Sequence, residues 1–328
     1  MIVIKTPTSD PHLNLAIEEY LLRRIVEDEA ILMFYVNEPS VIVGRNQNVF
    51  QEVNYSFVNE MEIPVIRRLS GGGTVYHDPG NLNYCLITPG QGMLNDYAAF
   101  TEPVRRAIEA VNLAPSLRHR SSIFVLEKKV SGNAQYASGS KLLSHGTLLI
   151  DADLGRLQQA VAPSLGEVSS RAIRSVRSSV ANLVELAKEP LSTSTMLAHL
   201  QSAFLGSTAP KSYQLTDADW EAVTQLADSR YRSWSWNVAR SPACIVYRRV
   251  QKKSLRIAIE EGCISSVEPA ESVPHGLASD LNLCLRGVRF DRRAVEAALT
   301  YCSMLTMPPG VSRDELADVL TGYRPISR

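Results

Sequence analysis

The stretch Arg67–Asn83, which reads R-R-L-S-G-G-G-T-V-Y-H-D-P-G-N-L-N, constrains this chain more than any other. An apolar run, Ile63-Pro64-Val65-Ile66, enters it, and the alternating Thr74-Val75-Tyr76-His77 leaves the glycines. The pattern predicts a strand, a glycine turn and a second strand. Three adjacent glycines lose much backbone freedom on folding, so they mark a close approach to the main chain. Exposed N–H groups in such a turn make an anion-binding concavity. Arg67 and Arg68 add fixed charge with forked donors suited to phosphate or carboxylate. A hairpin with a glycine tip and solvated arginines is the plainer alternative, and the glycines alone leave both open. They spell neither G-x-G-x-x-G nor G-x-x-x-x-G-K-[ST], so Rossmann and P-loop readings are weak.

At 328 residues the chain is long enough for one large domain and a smaller one. Its 34 basic residues balance 34 acidic ones, which gives no support for a nucleic-acid or anionic-membrane partner. The start, Met1-Ile2-Val3-Ile4-Lys5, lacks a secretory pattern, and no apolar run reaches membrane-span length. A cytoplasmic protein is expected. The five cysteines are scattered without a C-x-x-C pair, so neither zinc nor a redox motif is expected and the thiols read as buried or incidental. Cys85 reads as a core strand residue.

A first helix is expected from Ser9 to about Glu27, capped by Ser9 or Asp10, with Leu13, Ile17, Tyr20, Leu21 and Ile25 on one face. Strands follow at Ile31–Val36, Ser40–Val43, about Leu82–Thr88, Ile123–Leu126 and Thr147–Ile150. The amides of Asn46-Gln47-Asn48 read as the edge of a binding loop or a polar surface loop. Glu127–Gln135 reads as a short turn feeding a strand. Helices are expected near Phe100–Val111, Asp151–Val161, Val180–Ala187, Thr193–Phe204, Asp217–Trp234, Asp291–Thr300 and Ser312–Thr321, and a loop over Pro163–Ser170. Arg171, Arg174 and Arg177 share a spacing of three that would place them on one basic face, solvated by default. Trp234 and Trp236 read as sealing a core or inter-domain surface, and Ser241-Pro242-Ala243 as a linker. Ile245–Val250, Ser254–Glu260 and Cys263–Val267 read as a small antiparallel sheet. Hairpins with helices before and after them predict an α+β fold.

The Arg67–Asn83 stretch closely resembles the signature of lipoate–protein ligases of the lipoate ligase A type. The resemblance continues in Asn14–Glu19 (N-L-A-I-E-E), Val43–Asn48 (V-G-R-N-Q-N), Lys129–Ala134 (K-V-S-G-N-A), His145–Leu149 (H-G-T-L-L), Ser175–Ser178 with Val180–Leu183, and Trp234–Asn237. These blocks stand in family order over most of residues 1–245. The resemblance implies a class II aminoacyl-tRNA synthetase/biotin–lipoate ligase-like catalytic domain at 1–245 and a small α+β accessory domain at 246–328. It implies ATP, Mg2+ and lipoate as ligands, a lipoyl-adenylate intermediate, and acceptor lipoyl-domain proteins as partners (2-oxoacid dehydrogenase E2 subunits and the glycine cleavage H protein). A monomer is expected.

By the same resemblance Lys129 is the catalytic lysine, contacting both adenylate phosphate and lipoyl carbonyl. Arg68, Gly73, Thr74, Val75 and Tyr76, with Lys129, match ATP and adenylate positions. Arg45, Ser70, Gly71, Gly72, His77, Asn81, Gly132 and His145, again with Lys129, match the lipoate site. One departure stands out: the family usually shows G-R-N-D where this chain has His119-Arg120-Ser121-Ser122. Two serines are poorer magnesium ligands than a carboxylate, and no metal ligand is assigned. The departure motivates an alternative, a lipoyl or octanoyl transferase that uses a pre-activated acyl donor. A non-catalytic lipoate-binding paralogue is a third reading.

Overall fold

Alternation of period two along Asn81–Pro89 explains the larger sheet. Leu82, Tyr84 and Leu86 join one apolar cluster with Leu32, Phe34, Ile123, Val125, Val130 and Leu148, while Asn81, Asn83 and Cys85 point to the opposite face. The computed structural model describes residues 1–24, 29–163, 168–270 and 276–323. In it, eight strands run in the order Lys211–Ser212, Ile2–Lys5, Ile31–Val36, Asn81–Pro89, Lys141–Leu149, Lys128–Ser138, Ser122–Val125 and Pro115–Arg118. The first three pair in parallel and the rest antiparallel. The helices Tyr97–Glu109 and Thr193–Leu205 supply Phe100, Val104, Ala107, Ile108, Met196 and Leu200 to the apolar cluster. Asp96 and Ser192 cap them by accepting the N–H of Ala99 and Thr195.

The glycine stretch departs from a simple strand–turn–strand. Val65–Arg67 and Val75–His77 do not pair with each other; Ser40–Val43 lies between them in a three-stranded sheet. The glycine loop therefore crosses over the end of a third strand, which gives its main chain a buried neighbour.

The described residues form two compact units. One comprises 1–45, 66–158 and 176–233; the other comprises 46–65, 159–175 and 234–328. The second is built on an antiparallel sheet, Val168–Ser170, Cys244–Val250, Lys253–Glu260 and Cys263–Pro269, with helices Gly276–Leu285, Arg292–Tyr301 and Arg313–Thr321. Ser312 and Glu315 form a capping box on the last helix, and Gly322 ends it at φ 78°. A division at 245/246 would cut the strand Cys244–Val250 after its second residue. The Ser241–Ala243 segment is no free linker either: Asn48 donates to the Pro242 carbonyl at 2.7 Å and Ser241 accepts the N–H of Val49 at 3.3 Å. Of the amides expected at a loop edge, Asn46 is exposed, whereas Gln47 and Asn48 are buried in this unit, with Gln47 donating to Ser175 Oγ at 3.0 Å. Trp234 packs on Gly262, where a Cβ would come within 2.7 Å of its ring.

Several expectations shift. The first helix runs over Pro11–Arg24, and the expected continuation through Ile25 to Glu27 lies outside the described residues. Residues 164–167 of the expected loop also lie outside them, and Val168–Ser170 is a strand. Pro115–Arg118 and Gly276–Leu285 are elements that periodicity missed, and residues 171–179 form no helix, so the three arginines share no helical face. The reading of all five cysteines as thiols is corrected: Cys284 and Cys302 are joined in a disulfide. They sit on Gly276–Leu285 and just past Arg292–Tyr301, a juxtaposition invisible without the missed helix. No helix among the described residues is long and apolar enough to cross a membrane.

The turn that carries His77 into the central strand is held by backbone. The Gly80 carbonyl accepts the N–H groups of Ile150 and Asp151, each at 3.0 Å, and a Cβ on Gly80 would lie 1.9 Å from the Asp151 oxygen. Gly80→Ala is therefore expected to cost about 3 kcal/mol or more, read as a lowered midpoint in thermal or urea unfolding.

Candidate active site

A buried guanidinium needs acceptors, and Arg68 finds them in the glycine loop itself. Its Nε donates to Ser70 Oγ at 2.9 Å, Nη1 to the Ile42 carbonyl at 3.1 Å, and Nη2 to the carbonyls of Gly71 and Gly73 at 2.6 and 2.7 Å. Burial pushes its pKa down to about 10. Four of the five N–H groups are thus used, three of them stapling the loop and one tying it to the strand Ser40–Val43. Gly72 must be glycine: its φ is +86°, and a Cβ there would stand 3.0 Å from Arg68 Nη2. Gly71 faces open space. Arg67 is fully buried and holds the preceding strand end, donating to the carbonyls of Gly44 and Arg45 at 3.0 and 3.1 Å. Arg45 stacks over the Tyr136 ring at 5.2 Å, and its N–H donates to the Ser70 carbonyl.

Ser70 links the loop to the sheet. Its Oγ lies 2.6 Å from His145 Nε2, and His145 Nδ1 lies 2.9 Å from Glu18 Oε2. Since the carboxylate accepts, the ring carries a proton on Nδ1. The Tyr35 hydroxyl donates to Glu18 Oε1 at 3.0 Å. Burial and Glu18 push the Tyr35 phenol well above its ordinary range, so it stays a donor. His145 faces Cys85 across the strand pair, which places this chain on the polar face of the sheet, under the helix Pro11–Arg24.

His77 is buried on the strand Val75–His77, with Nδ1 3.0 Å from Asn37 Nδ2. Burial first, then the neighbouring Arg68 and His145, push its pKa down to about 3, so it is neutral at ordinary pH. Asn81 is fully buried and donates to Asn83 Oδ1 at 3.0 Å.

Lys129 stands in the strand Lys128–Ser138 rather than in a turn. Its backbone is anchored on both sides, its N–H donating to the Ser179 carbonyl at 2.8 Å and its carbonyl accepting from Ala181 at 3.2 Å. The side chain folds back over Gly132, where a Cβ would lie 3.3 Å from Nζ. Burial first, and Arg68 second, lower the ammonium pKa. Two cations that feel each other in a buried place make a site for an anion. Ser122 pairs with Gly132 in register, so the Ser121-Ser122 departure lies beside the lysine. The Ser121 carbonyl is taken by both nitrogens of Asn133, each at 3.0 Å. No group of three His, Cys, Asp or Glu among the described residues could hold a metal ion. Ser121 and Ser122 offer hydroxyl oxygens beside the lysine in place of a carboxylate.

The structure thus gathers Arg68, Ser70, Gly71–Gly73, His77, Lys129, Gly132 and His145 around one loop. The Tyr76 side chain lies in another cluster: its hydroxyl environment is set by Asp78, Arg156 and Asp153, and burial with Asp78 pushes it up to about 12. Glu18, Tyr35 and Asn37 are site residues that sequence reasoning did not single out. Glu18 had a signal, since a carboxylate among Leu15, Ile17, Leu21 and Leu22 on a buried helix face needs a partner.

A histidine kept neutral by the fold has a signed consequence. Its folded pKa lies below the ordinary 6.5, so between pH 6.5 and about 3 the unfolded chain binds a proton that the folded chain refuses. Stability is expected to fall as pH drops through that window, by at most about 1.4 kcal/mol per pH unit from this group. His77→Gln should flatten the slope in unfolding measured at pH 7, 5.5 and 4.5.

Residues 10–205 match the family described as the lipoyl protein ligase A/B catalytic domain. Lipoate–protein ligase 1 of Staphylococcus aureus is 34% identical over 319 residues, 95% of this chain and 97% of that protein. Lipoate-protein ligase LplJ of Bacillus subtilis is 34% identical over 322 residues, with the same 95% and 97% covered. The solved structure of P. falciparum LipL1 in complex with lipoate shares the fold, with a TM-score of 0.61 at 19% identity over 98% of this chain and 99% of that one. With more than half of the chain matched to the domain and two relatives aligned almost end to end, the chain belongs to the lipoyl protein ligase A/B family.

Proposed function

We propose that the chain is an ATP-dependent lipoate–protein ligase. The lipoate carboxylate attacks the α-phosphorus of ATP, the bond to pyrophosphate breaks, and lipoyl-AMP forms. The ε-amine of a lysine on an acceptor lipoyl domain then attacks the acyl carbon, AMP leaves, and the amine loses its proton. The observation that carries this reading is the placement of the Lys129 ammonium, half-buried over Gly132 and within the field of Arg68. Fixed donors in a water-poor site stabilise charge that grows on equatorial phosphoryl oxygens and on the acyl carbonyl. Names borne by relatives aligned over 95% of the chain support the same reaction.

In this reading Lys129 contacts both phosphate and acyl carbonyl. The N–H groups of Gly73–Tyr76 line the nucleotide, while Gly71, Gly72, Ser70, His77, Asn81, Gly132, His145 and Arg45 border the lipoyl group. Arg68 acts through the loop it staples and through its charge, with one Nη1 N–H left for the adenylate. Magnesium arrives as the counterion of ATP, held by phosphate and water oxygens, and no step here depends on a protein ligand for it. The unit of residues 1–45, 66–158 and 176–233 would house both steps, with the other unit, rather than 246–328 alone, as the accessory part of a cytoplasmic monomer. Nothing favours a thiol-based acyl carrier: burial and Glu18 push the Cys85 thiol well above its ordinary range.

Lys129→Ala is expected to abolish lipoylation of an acceptor domain, followed by mass spectrometry, and to leave the circular dichroism and melting profile near wild type. Lys129→Arg should rescue poorly, because a planar fork does not fit the space over Gly132. Gly132→Ala, which crowds Nζ, should reduce the rate about tenfold, roughly 1.4 kcal/mol of transition-state stabilisation.

A further inference from the structure

The amides beside His77 form a chain with a defined direction. Asn14 Nδ2 donates to the Thr8 carbonyl at 3.0 Å, and a carbonyl can only accept, which fixes that amide. The same Nδ2 lies 2.8 Å from Asn37 Oδ1, so Asn37 accepts there and turns its own Nδ2 to His77 Nδ1 at 3.0 Å. His77 Nδ1 must then be the bare nitrogen, and its proton resides on Nε2. That atom is buried and has no hydrogen-bond partner among the described residues. A buried N–H without an acceptor is costly, and folds keep one where something else completes it.

We propose that Asn14 and Asn37 are positioning residues that lock His77 as a neutral Nε2–H donor for an oxygen at the carboxyl end of the acyl substrate. The inference rests on the ligase reading for the identity of that oxygen, and on the hydrogen-bond chain alone for the tautomer. A neutral donor suits the place. A carboxylate that is to attack phosphorus is oriented by a neutral N–H without being quenched as it would be by a further full charge. Arg68, from the strand before the glycine loop, and His145, from the neighbouring sheet, are the charged and titratable groups that act on the ring, and both oppose its protonation. His145, in contrast, is held by Glu18 through a proton on Nδ1, so the two buried histidines near this loop turn different nitrogens to their anchoring side chains.

Asn37→Asp separates this account from simple packing. The carboxylate still accepts from Asn14 but also accepts from His77, so the neutral ring must move its proton to Nδ1. Lowering the pH would charge the ring and restore an Nε2–H.

The test is ring nitrogen NMR on the full chain, with the His77 signals assigned by their loss in His77→Gln. Wild type is expected to show the Nε2–H tautomer from pH 8.5 to 5.5 and a shift of Nε2 on saturation with octanoate. In Asn37→Asp the tautomer should be Nδ1–H at pH 8.5. Its kcat/KM for lipoate should fall 10- to 100-fold there, recover as pH is lowered, and leave the KM for ATP within twofold. An Nδ1–H or charged ring in wild type at pH 7.5 overturns the proposal. So does an Nε2 signal indifferent to octanoate, or an Asn37→Asp loss that does not recover with acid. If Asn37→Asp does not fold, the wild-type tautomer and octanoate response decide. An Nε2–H ring in a chain that never ligates lipoate would uphold the tautomer lock and sink the ligase reading instead.

Discussion

A guanidinium buried without acceptors would unfold its surroundings, and the site of this protein depends on how that demand is met for Arg68. Four of its five N–H groups are satisfied by the carbonyls of Ile42, Gly71 and Gly73 and by Ser70. The charge and the shape of the loop are therefore one object. Because the loop carbonyls turn inward to Arg68, the remaining loop surface is free to present N–H groups and open glycine faces to a ligand. Gly72 supplies the left-handed backbone that this requires, and Gly71 supplies the open side. A buried cation bonded to carbonyls keeps its field, since dipoles satisfy it without cancelling it.

That field organises the rest. Burial first, and that field second, lower the Lys129 ammonium and hold His77 neutral. A second network, Ser70–His145–Glu18–Tyr35, ties the loop to the helix Pro11–Arg24 and to the polar face of the sheet. The two networks meet at the Ser70 hydroxyl, which accepts from Arg68 and faces His145. A substrate carboxylate or phosphate entering here meets preset positive charge, and little reorganisation is left for the moment of reaction.

Much of this was legible in the sequence, for specific reasons. Apolar runs of strand length marked the central strands Ile31–Val36 and Thr147–Ile150, and the one motif with charge, glycine and polar residues together lies at the centre of the candidate site. Lys129 and His145, taken from the family resemblance, fall beside that loop. Other features were not legible. The strand Ser40–Val43 inserts between the two strands of the glycine stretch, a long-range pairing that no local pattern encodes. The direction of Arg68 was opaque too: forked donors suit a ligand and a backbone carbonyl equally well, and only the fold chooses. Residues 46–65 and 159–175 join the C-terminal segment in one unit because Asn48 bonds to Pro242 and Val168–Ser170 pairs with the strand Cys244–Val250 across distant sequence. The Cys284–Cys302 link required a helix, Gly276–Leu285, whose caps and period are weak in the sequence.

The central claim is that this loop and Lys129 activate a carboxylate with ATP although Ser121-Ser122 supplies no carboxylate beside the lysine. Lipoate-dependent exchange of labelled pyrophosphate into ATP, with magnesium present and no acceptor protein, tests it most directly. Exchange that requires lipoate is the predicted result. A folded, lipoate-binding preparation that shows no exchange, yet transfers lipoyl from synthetic lipoyl-AMP to an acceptor domain, would contradict it.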